Sequence, residues 1–180
     1  MCPARPLTRI YAIGHSTCPF DDFVALIKNH EIRIVADVRT VPRSRHVPQF
    51  NQELFKVALK TQGLGYRHFK QLGGLRKPRN DSSNLGWRNS SFRGFADYMQ
   101  SQEFEAGIAE LINLAETEGP VVIMCAEALP WRCHRSLIAD ALVARGLEVL
   151  QLDSHGHAKP HMLTSFARVK YGKVTYPGVI

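Results

Sequence analysis

Apolar positions along this chain follow two rhythms. Short, nearly continuous apolar runs occur at Arg9–Gly14 (RIYAIG), Ile32–Val38 (IRIVADV), Val121–Cys125 (VVIMC) and Leu147–Leu152. Such runs suit strands buried on both faces of a parallel sheet. Tyr66–Phe69 reads as a further short strand. Between the runs, apolar residues recur at helical spacing: Phe23, Leu26 and Ile27; Leu54, Phe55, Ala58 and Leu59; Phe104, Ile108, Leu111 and Ala115; Leu137, Ile138, Ala141 and Leu142. A shorter helix is expected over Phe92–Met99. Pro19 with Asp21 and Asp22 marks one helix start, and Gly63 and Gly146 mark two helix ends.

Five strands alternating with helices, joined by connections too long for hairpins, predict one α/β domain. Its sheet is mostly parallel, with helices on both faces. The core spans about residues 9–152. Residues 153–180 form a C-terminal extension, in which Pro160–Arg168 is expected to be helical. Two stretches lack pattern: the loop Arg39–Gln49, and Gln71–Ser91, which is long enough to be either functional or mobile. In such sheets ligands bind beyond the carboxyl ends of the strands. The segments Gly14–Ser16, Asp37–Arg39 and Cys125–Glu127 are therefore expected to meet in space.

Composition narrows the class. With 180 residues, 44% hydrophobic and 22% charged, the chain falls in the ordinary globular range. No apolar run is long enough to span a bilayer, and Met1–Pro6 lacks the apolar core of a signal peptide. The four cysteines, Cys2, Cys18, Cys125 and Cys133, are scattered and do not form a secreted disulfide framework. A cytoplasmic protein that does not engage membranes is expected.

Charge narrows it further. The net charge is +7. Arg39–Arg93 holds twelve basic and two acidic residues, so the remainder is net negative. Most of the twelve are arginines, which grip phosphate or carboxylate with two parallel hydrogen bonds. An anionic partner is expected: nucleic acid, a nucleotide, or another phosphorylated or acidic ligand. The plainer alternative is a solvated basic face.

Candidate chemistry gathers where strands end. Cys125, Ala126 and Glu127 close an apolar strand, and Arg132–Ser136 (RCHRS) opens a helix. The amides and dipole of a helix start favour anions and thiolates. Cys125 or Cys133 could serve as a nucleophile, with His134 or Glu127 moving protons, and Arg132 and Arg135 could hold an anion. The competing reading is two inert, buried cysteines. A metal held by Cys125, Cys133, His134 and Glu127, with His15 or Asp37 as further donors, is a third reading. The spacing matches no paired zinc signature, and Cys133 and His134, being neighbours, are not expected to face one ion. Asp37 could take a proton or orient Arg39, with Arg43 completing an anion clamp; a structural Asp37–Arg39 pair is the alternative. His15 and Ser16 leave the first strand, and Arg93 starts a helix beside Gly94.

Several of these motifs, taken together and in order, resemble the bacterial and archaeal family called domain of unknown function 488. They are Ile13–Ser16, Asp37–Arg39 with Pro42–Ser44, Leu72–Gly74, Phe92–Met99, Met124–Glu127 and Cys133–Arg135. The resemblance runs from about Ile10 to Leu152. It implies an α/β domain with a cleft built from these motifs, and it implies no activity. A weaker fold-level likeness links Asp37–Arg39 and the Cys125–loop–arginine unit to rhodaneses and cysteine phosphatases. The chain departs from those proteins: six residues separate Cys125 from Arg132, and Glu127 and Pro130 interrupt the loop.

The leading expectation is an enzyme acting on a phosphate-bearing substrate. Arg39, Arg43, Arg93, Arg132 and Arg135, with Ser16, would bind it. Cys125, Cys133, His134, Glu127, His15 and Asp37 would supply the chemistry. The alternatives are a non-catalytic nucleic-acid-binding module and a metal-dependent or thiol-transfer enzyme. No cofactor is assigned.

Overall fold

The computed structural model describes residues 8–178. Cys2 and the Met1–Pro6 start, expected above to lack the apolar core of a signal peptide, lie outside them. Strands β1 (Arg9–Gly14), β2 (Ile34–Asp37), β3 (Gly65–His68), β4 (Val121–Cys125), β5 (Glu148–Leu152) and β6 (Ala158–Pro160) form one sheet in the order β3-β2-β4-β1-β5-β6. The first five are parallel and β6 is antiparallel to β5. Helices α1 (Phe20–Asn29), α2 (Gln52–Thr61), α3 (Ser90–Tyr98), α4 (Gln102–Thr117) and α5 (Arg135–Val143) cover it. The predicted architecture is therefore the observed one. No helix among the described residues is long and apolar enough to cross a membrane.

The apolar runs split by side-chain parity into two cores. Ile10, Ala12, Ile34, Ala36, Val121 and Ile123 face α3, α4 and α5, packing on Phe95, Ile108, Leu111 and Leu137. Tyr11, Ile13, Val35, Val122 and Met124 face α1 and α2, packing on Phe23, Ile27, Phe55 and Leu59. β1, β2 and β4 thus bury both faces, which is why their sequences show no polar alternation.

This division decides where a cleft opens. β1 and β4 are adjacent and parallel, pairing from Ile10↔Val121 to Gly14↔Cys125. β1 feeds α1 on one face, and β4 feeds α5 on the other. Where neighbouring strands send their connections to opposite faces, a crevice forms at their carboxyl ends.

The extension differs from expectation. Pro160–Arg168 is not helical. β6 and the residue after it pair with β5, with the His161 amide donating to the Val149 carbonyl at 2.8 Å. The chain then reaches a hairpin of β7 (Arg168–Lys170) and β8 (Lys173–Thr175). An open sheet edge and the buried Asp140 carboxylate claim the backbone groups that a helix would have used. His161 Nε2 and the Thr164 amide both bond Asp140 Oδ1, at 2.8 and 3.0 Å.

The long Gln71–Ser91 stretch is tied to α3. Asp97 accepts from the Arg79 amide, the Ser82 hydroxyl and Asn84 Nδ2, at 2.9, 2.6 and 2.8 Å. The Tyr98 hydroxyl donates to the Gln71 carbonyl at 2.6 Å. Asn89 caps α3 by accepting from the Ser91 and Phe92 amides.

Candidate functional site

A cleft of about 640 Å³ opens at the carboxyl ends of β1, β2 and β4. His15, Ser16, Arg39, Arg43, Cys125, Glu127, Arg132, Cys133 and His134 all line it. The three strand exits that the sequence separates therefore share one wall. Gly14 makes this approach possible: a Cβ there would collide with the Glu127 carbonyl and Ala128 Cα. Beyond the strands, the His15 and Ser16 amides continue the β1–β4 pairing, donating to the Cys125 and Ala126 carbonyls at 2.9 Å each.

The floor consists of two sulfurs and an imidazole. Donor atoms of Cys125, Cys133 and His134 lie within 4.8 Å of one another. Cys133 Sγ stands 3.7 Å from His134 Nδ1. The expectation that neighbours could not face one point is corrected here. Cys133 is extended (φ −129, ψ 139) and His134 already has helical angles (φ −56, ψ −17), and the turn between them brings both side chains together. His134 Nε2 lies 3.0 Å from the Val38 carbonyl. A carbonyl only accepts, so Nε2 carries a proton, and Nδ1 is the ring nitrogen that faces the sulfurs. Phe95 packs edge-on against the ring at 5.0 Å between centroids.

The two thiols are unequal. Cys133 is 4% exposed, whereas Cys125 is partly exposed. The Cys125 thiol is held well below its ordinary range, chiefly by the neighbouring Cys133 thiol, an effect that burial opposes. The proximity of His134 and the charge of Arg135 add to the lowering. Cys133 is pushed the other way, by its bond to Cys125 and by burial. Of the two thiols, Cys125 is therefore the one that ionises first.

Arg135 lies beneath this floor and does not line the cleft. It is 0% exposed. Nη1 and Nη2 donate to the Glu127 and Ala128 carbonyls at 2.9 and 3.3 Å, and its amide lies 3.5 Å from Cys133 Sγ. Among the described residues no carboxylate pairs with it, and its Nε has no partner. The loop after Cys125 thus turns two carbonyls toward an arginine, unlike an anion cradle built from amides.

Asp37 and Arg39 form a buried pair, 0% and 6% exposed. Arg39 Nε and Nη2 donate to the two carboxylate oxygens at 2.9 and 2.6 Å. The Tyr66 hydroxyl donates to Asp37 Oδ2 at 2.8 Å. Arg39 Nη2 also reaches the Phe50 carbonyl, and Nη1 donates to His15 Nε2 at 3.2 Å. Asp37 is thereby saturated with donors and does not line the cleft.

His15 is clamped. Its Nδ1–H donates to the Ser16 carbonyl at 2.8 Å, and its ring stacks on Phe50 at 4.1 Å. Burial is the main cause holding this imidazole below its ordinary value; the Ser16 carbonyl opposes that and the Arg39 charge adds to it. Arg43 and Arg132 are exposed at the cleft, while Arg93 does not line it. The Glu127 carboxylate caps its own loop, accepting from the Leu129 amide at 3.2 Å.

Phe50 and Tyr66 were not singled out from the sequence. For Tyr66 a signal existed. Asp37 pairs with His68 across β2–β3, which places Tyr66 two residues away on the same face. Phe50 had none, since its role depends on where the long loop returns.

No curated protein and no solved structure matches the chain, so the likeness to rhodaneses and cysteine phosphatases gains no support. A family model described as "Domain of unknown function DUF488" matches residues 19–142. That span is narrower than the Ile10–Leu152 suggested by the motifs, and it still takes in Asp37, Arg39, Cys125, Cys133 and His134. With more than half its length matched, this chain belongs to the DUF488 family.

Proposed function

We propose that the protein is an enzyme that attacks an anionic, phosphate-bearing substrate with the sulfur of Cys125. The observation that carries this reading is the arrangement of His134: with Nε2–H committed to the Val38 carbonyl, Nδ1 is the acceptor facing the sulfurs. Cys125 is the more accessible of the two thiols lining the cleft. The buried guanidinium of Arg135, with no carboxylate partner among the described residues, lies against Cys133 Sγ and lends positive potential to the thiol pair.

In this reading His134 Nδ1 takes the Cys125 proton. The thiolate forms a bond to the electrophilic atom of the substrate as the bond to the leaving group breaks, and His134 returns the proton to that group. Water, deprotonated by the same nitrogen, then releases the S-linked group and regenerates the thiol. Arg43 and Arg132, exposed at the cleft, would counter the substrate's charge. A nucleotide or a nucleic-acid end fits that demand. A non-catalytic nucleic-acid-binding role would leave the Cys125–His134 geometry unused.

The test is alkylation by iodoacetamide in chelator-treated, reduced protein, followed by peptide mass spectrometry. Cys125 should react far faster than Cys18 at pH 7, and inorganic phosphate or a nucleoside monophosphate should slow it. A Cys125 rate no greater than that of Cys18, whose thiol burial pushes up, overturns the reading.

A further inference from the structure

The floor of the cleft has a second chemical capacity. Two sulfurs and one imidazole nitrogen lie within 4.8 Å of each other, and these are donors that zinc favours. Tetrahedral zinc with a sulfur at about 2.3 Å and a nitrogen at about 2.0–2.1 Å sets those donors about 3.6 Å apart. Cys133 Sγ and His134 Nδ1 stand 3.7 Å apart. Two such sulfurs would be about 3.8 Å apart, which the 4.8 Å limit accommodates.

What surrounds the donors fits the same purpose independently. A metal-binding histidine usually donates its other ring N–H to a carbonyl or carboxylate, which fixes the tautomer and aims the ligating nitrogen. His134 does so through Val38. Cys133 Sγ receives the Arg135 amide at 3.5 Å and lies 3.9 Å from Nη1 of the same residue, contacts that support charge on this sulfur once a metal displaces its proton. Gly74 leaves the space in which the ring sits. The Glu127 carboxylate, a donor weighed in the sequence, is turned to its own loop and is not in the cluster.

We propose that Cys125 Sγ, Cys133 Sγ and His134 Nδ1 form a three-donor site for one Zn²⁺, with the fourth coordination position opening into the cleft. The site stands on its own geometry. Its consequence rests on the function proposed above: ligation occupies the Cys125 lone pair and the His134 Nδ1 that the thiol mechanism needs. Zinc therefore switches the nucleophile off, and its removal switches it on.

The test uses the full chain, purified without a metal-affinity tag, reduced and stripped with chelator. Co²⁺ is titrated as a visible probe and then displaced by Zn²⁺. One equivalent should develop the d–d and thiolate-to-cobalt absorption of a tetrahedral, sulfur-ligated ion. Cys125→Ser, Cys133→Ser and His134→Gln should each weaken binding by more than the roughly 10–100-fold that loss of an outer partner costs. Cys18→Ser should leave it unchanged. Should a variant not fold, X-ray absorption of the zinc-loaded wild type must still show two sulfurs and at least one nitrogen. Absence of the cobalt spectrum in wild type overturns the site, as does a first shell with fewer than two sulfurs, or binding that survives Cys125→Ser and Cys133→Ser. Zinc loading should also slow Cys125 alkylation at least tenfold, with chelator restoring it. Fast alkylation of stripped protein without any cobalt spectrum removes the zinc site and leaves the thiol reading intact. A cobalt spectrum with an unreactive Cys125 in the stripped protein does the reverse.

Discussion

The ring of His134 occupies the space that a side chain at position 74 would need. A Cβ on Gly74 would collide with His134 Nδ1 and Cγ. The ring cannot easily yield, because Val38 holds its far nitrogen and Phe95 packs against its side. Gly74 lies on the Leu72–Gly74 motif and His134 on the helix start after β4, 60 residues later, so the glycine serves the imidazole.

Gly74→Ala is therefore expected to displace His134 while the sheet stays intact. Overpacking of this kind destabilises by about 1–3 kcal/mol. Cys125 alkylation in stripped protein should slow markedly, while far-ultraviolet circular dichroism stays native. Wild-type alkylation in a folded Gly74→Ala variant would show that the ring position does not matter to the thiol.

The Asp37–Arg39 pair makes a stability prediction. Removing one partner of a buried, multiply bonded ion pair leaves the other charge uncompensated, at about 3–5 kcal/mol. Asp37→Asn should lower the free energy of urea unfolding by that order. Tyr66→Phe, which deletes one donor to the same carboxylate, should lower it by only about 1 kcal/mol. Equal losses from the two variants would contradict the assignment of Arg39 as the principal partner.

His15 sets an acid limit. Its folded value lies below the ordinary histidine value because the ring is buried and Nε2 accepts from Arg39. In the unfolded chain it titrates near about 6.5. Below that pH the unfolded state gains a proton that the folded state refuses. The contribution is thus fully present above about pH 6.5 and lost as pH falls toward the folded value. Urea midpoints should decline between pH 7 and 5.5 in wild type and less steeply in His15→Gln. Parallel profiles would rule out His15 as a source of the slope.

Asp140 anchors the C-terminal extension. Fully buried, it accepts from the Tyr176 hydroxyl at 2.8 Å as well as from His161 and the Thr164 amide. Asp140→Ala leaves those donors without an acceptor, at about 1–3 kcal/mol for each one that stays buried. Limited proteolysis should then cut within residues 153–178 well before the sheet unfolds. A digestion pattern like wild type would mean that the extension is held by its apolar contacts alone.

The parallel sheet was legible in the sequence because continuous apolar runs have few other uses in a chain of this size. Helix ends were legible at Gly63 and Gly146, which take positive φ values of 73° and 83°. The Pro160–Arg168 segment was not, since its backbone is claimed by β5 and by Asp140, partners far away in sequence. Cys125, Cys133 and His134 stood out as residue types at a strand end and a helix start. The role of Arg135 did not stand out, and the Asp37–Arg39 pair stood only as one of two alternatives. A basic residue at a helix start and an acid at a strand end look alike whether they face a ligand or lie beneath the wall.

Local chemistry alone determined which segments become strands and helices and which strand ends carry reactive groups, because apolar periodicity and turn residues act over a few positions. Tertiary structure decided everything that depends on direction. The adjacency of β1 and β4 opens the cleft, the burial of Arg135 leaves its charge without a carboxylate partner among the described residues, and the Val38 carbonyl holds the Nε2–H of His134. Those outcomes are set by distances between residues far apart in the chain, Val38 from His134 and Ile10 from Val121, and no local pattern encodes such distances.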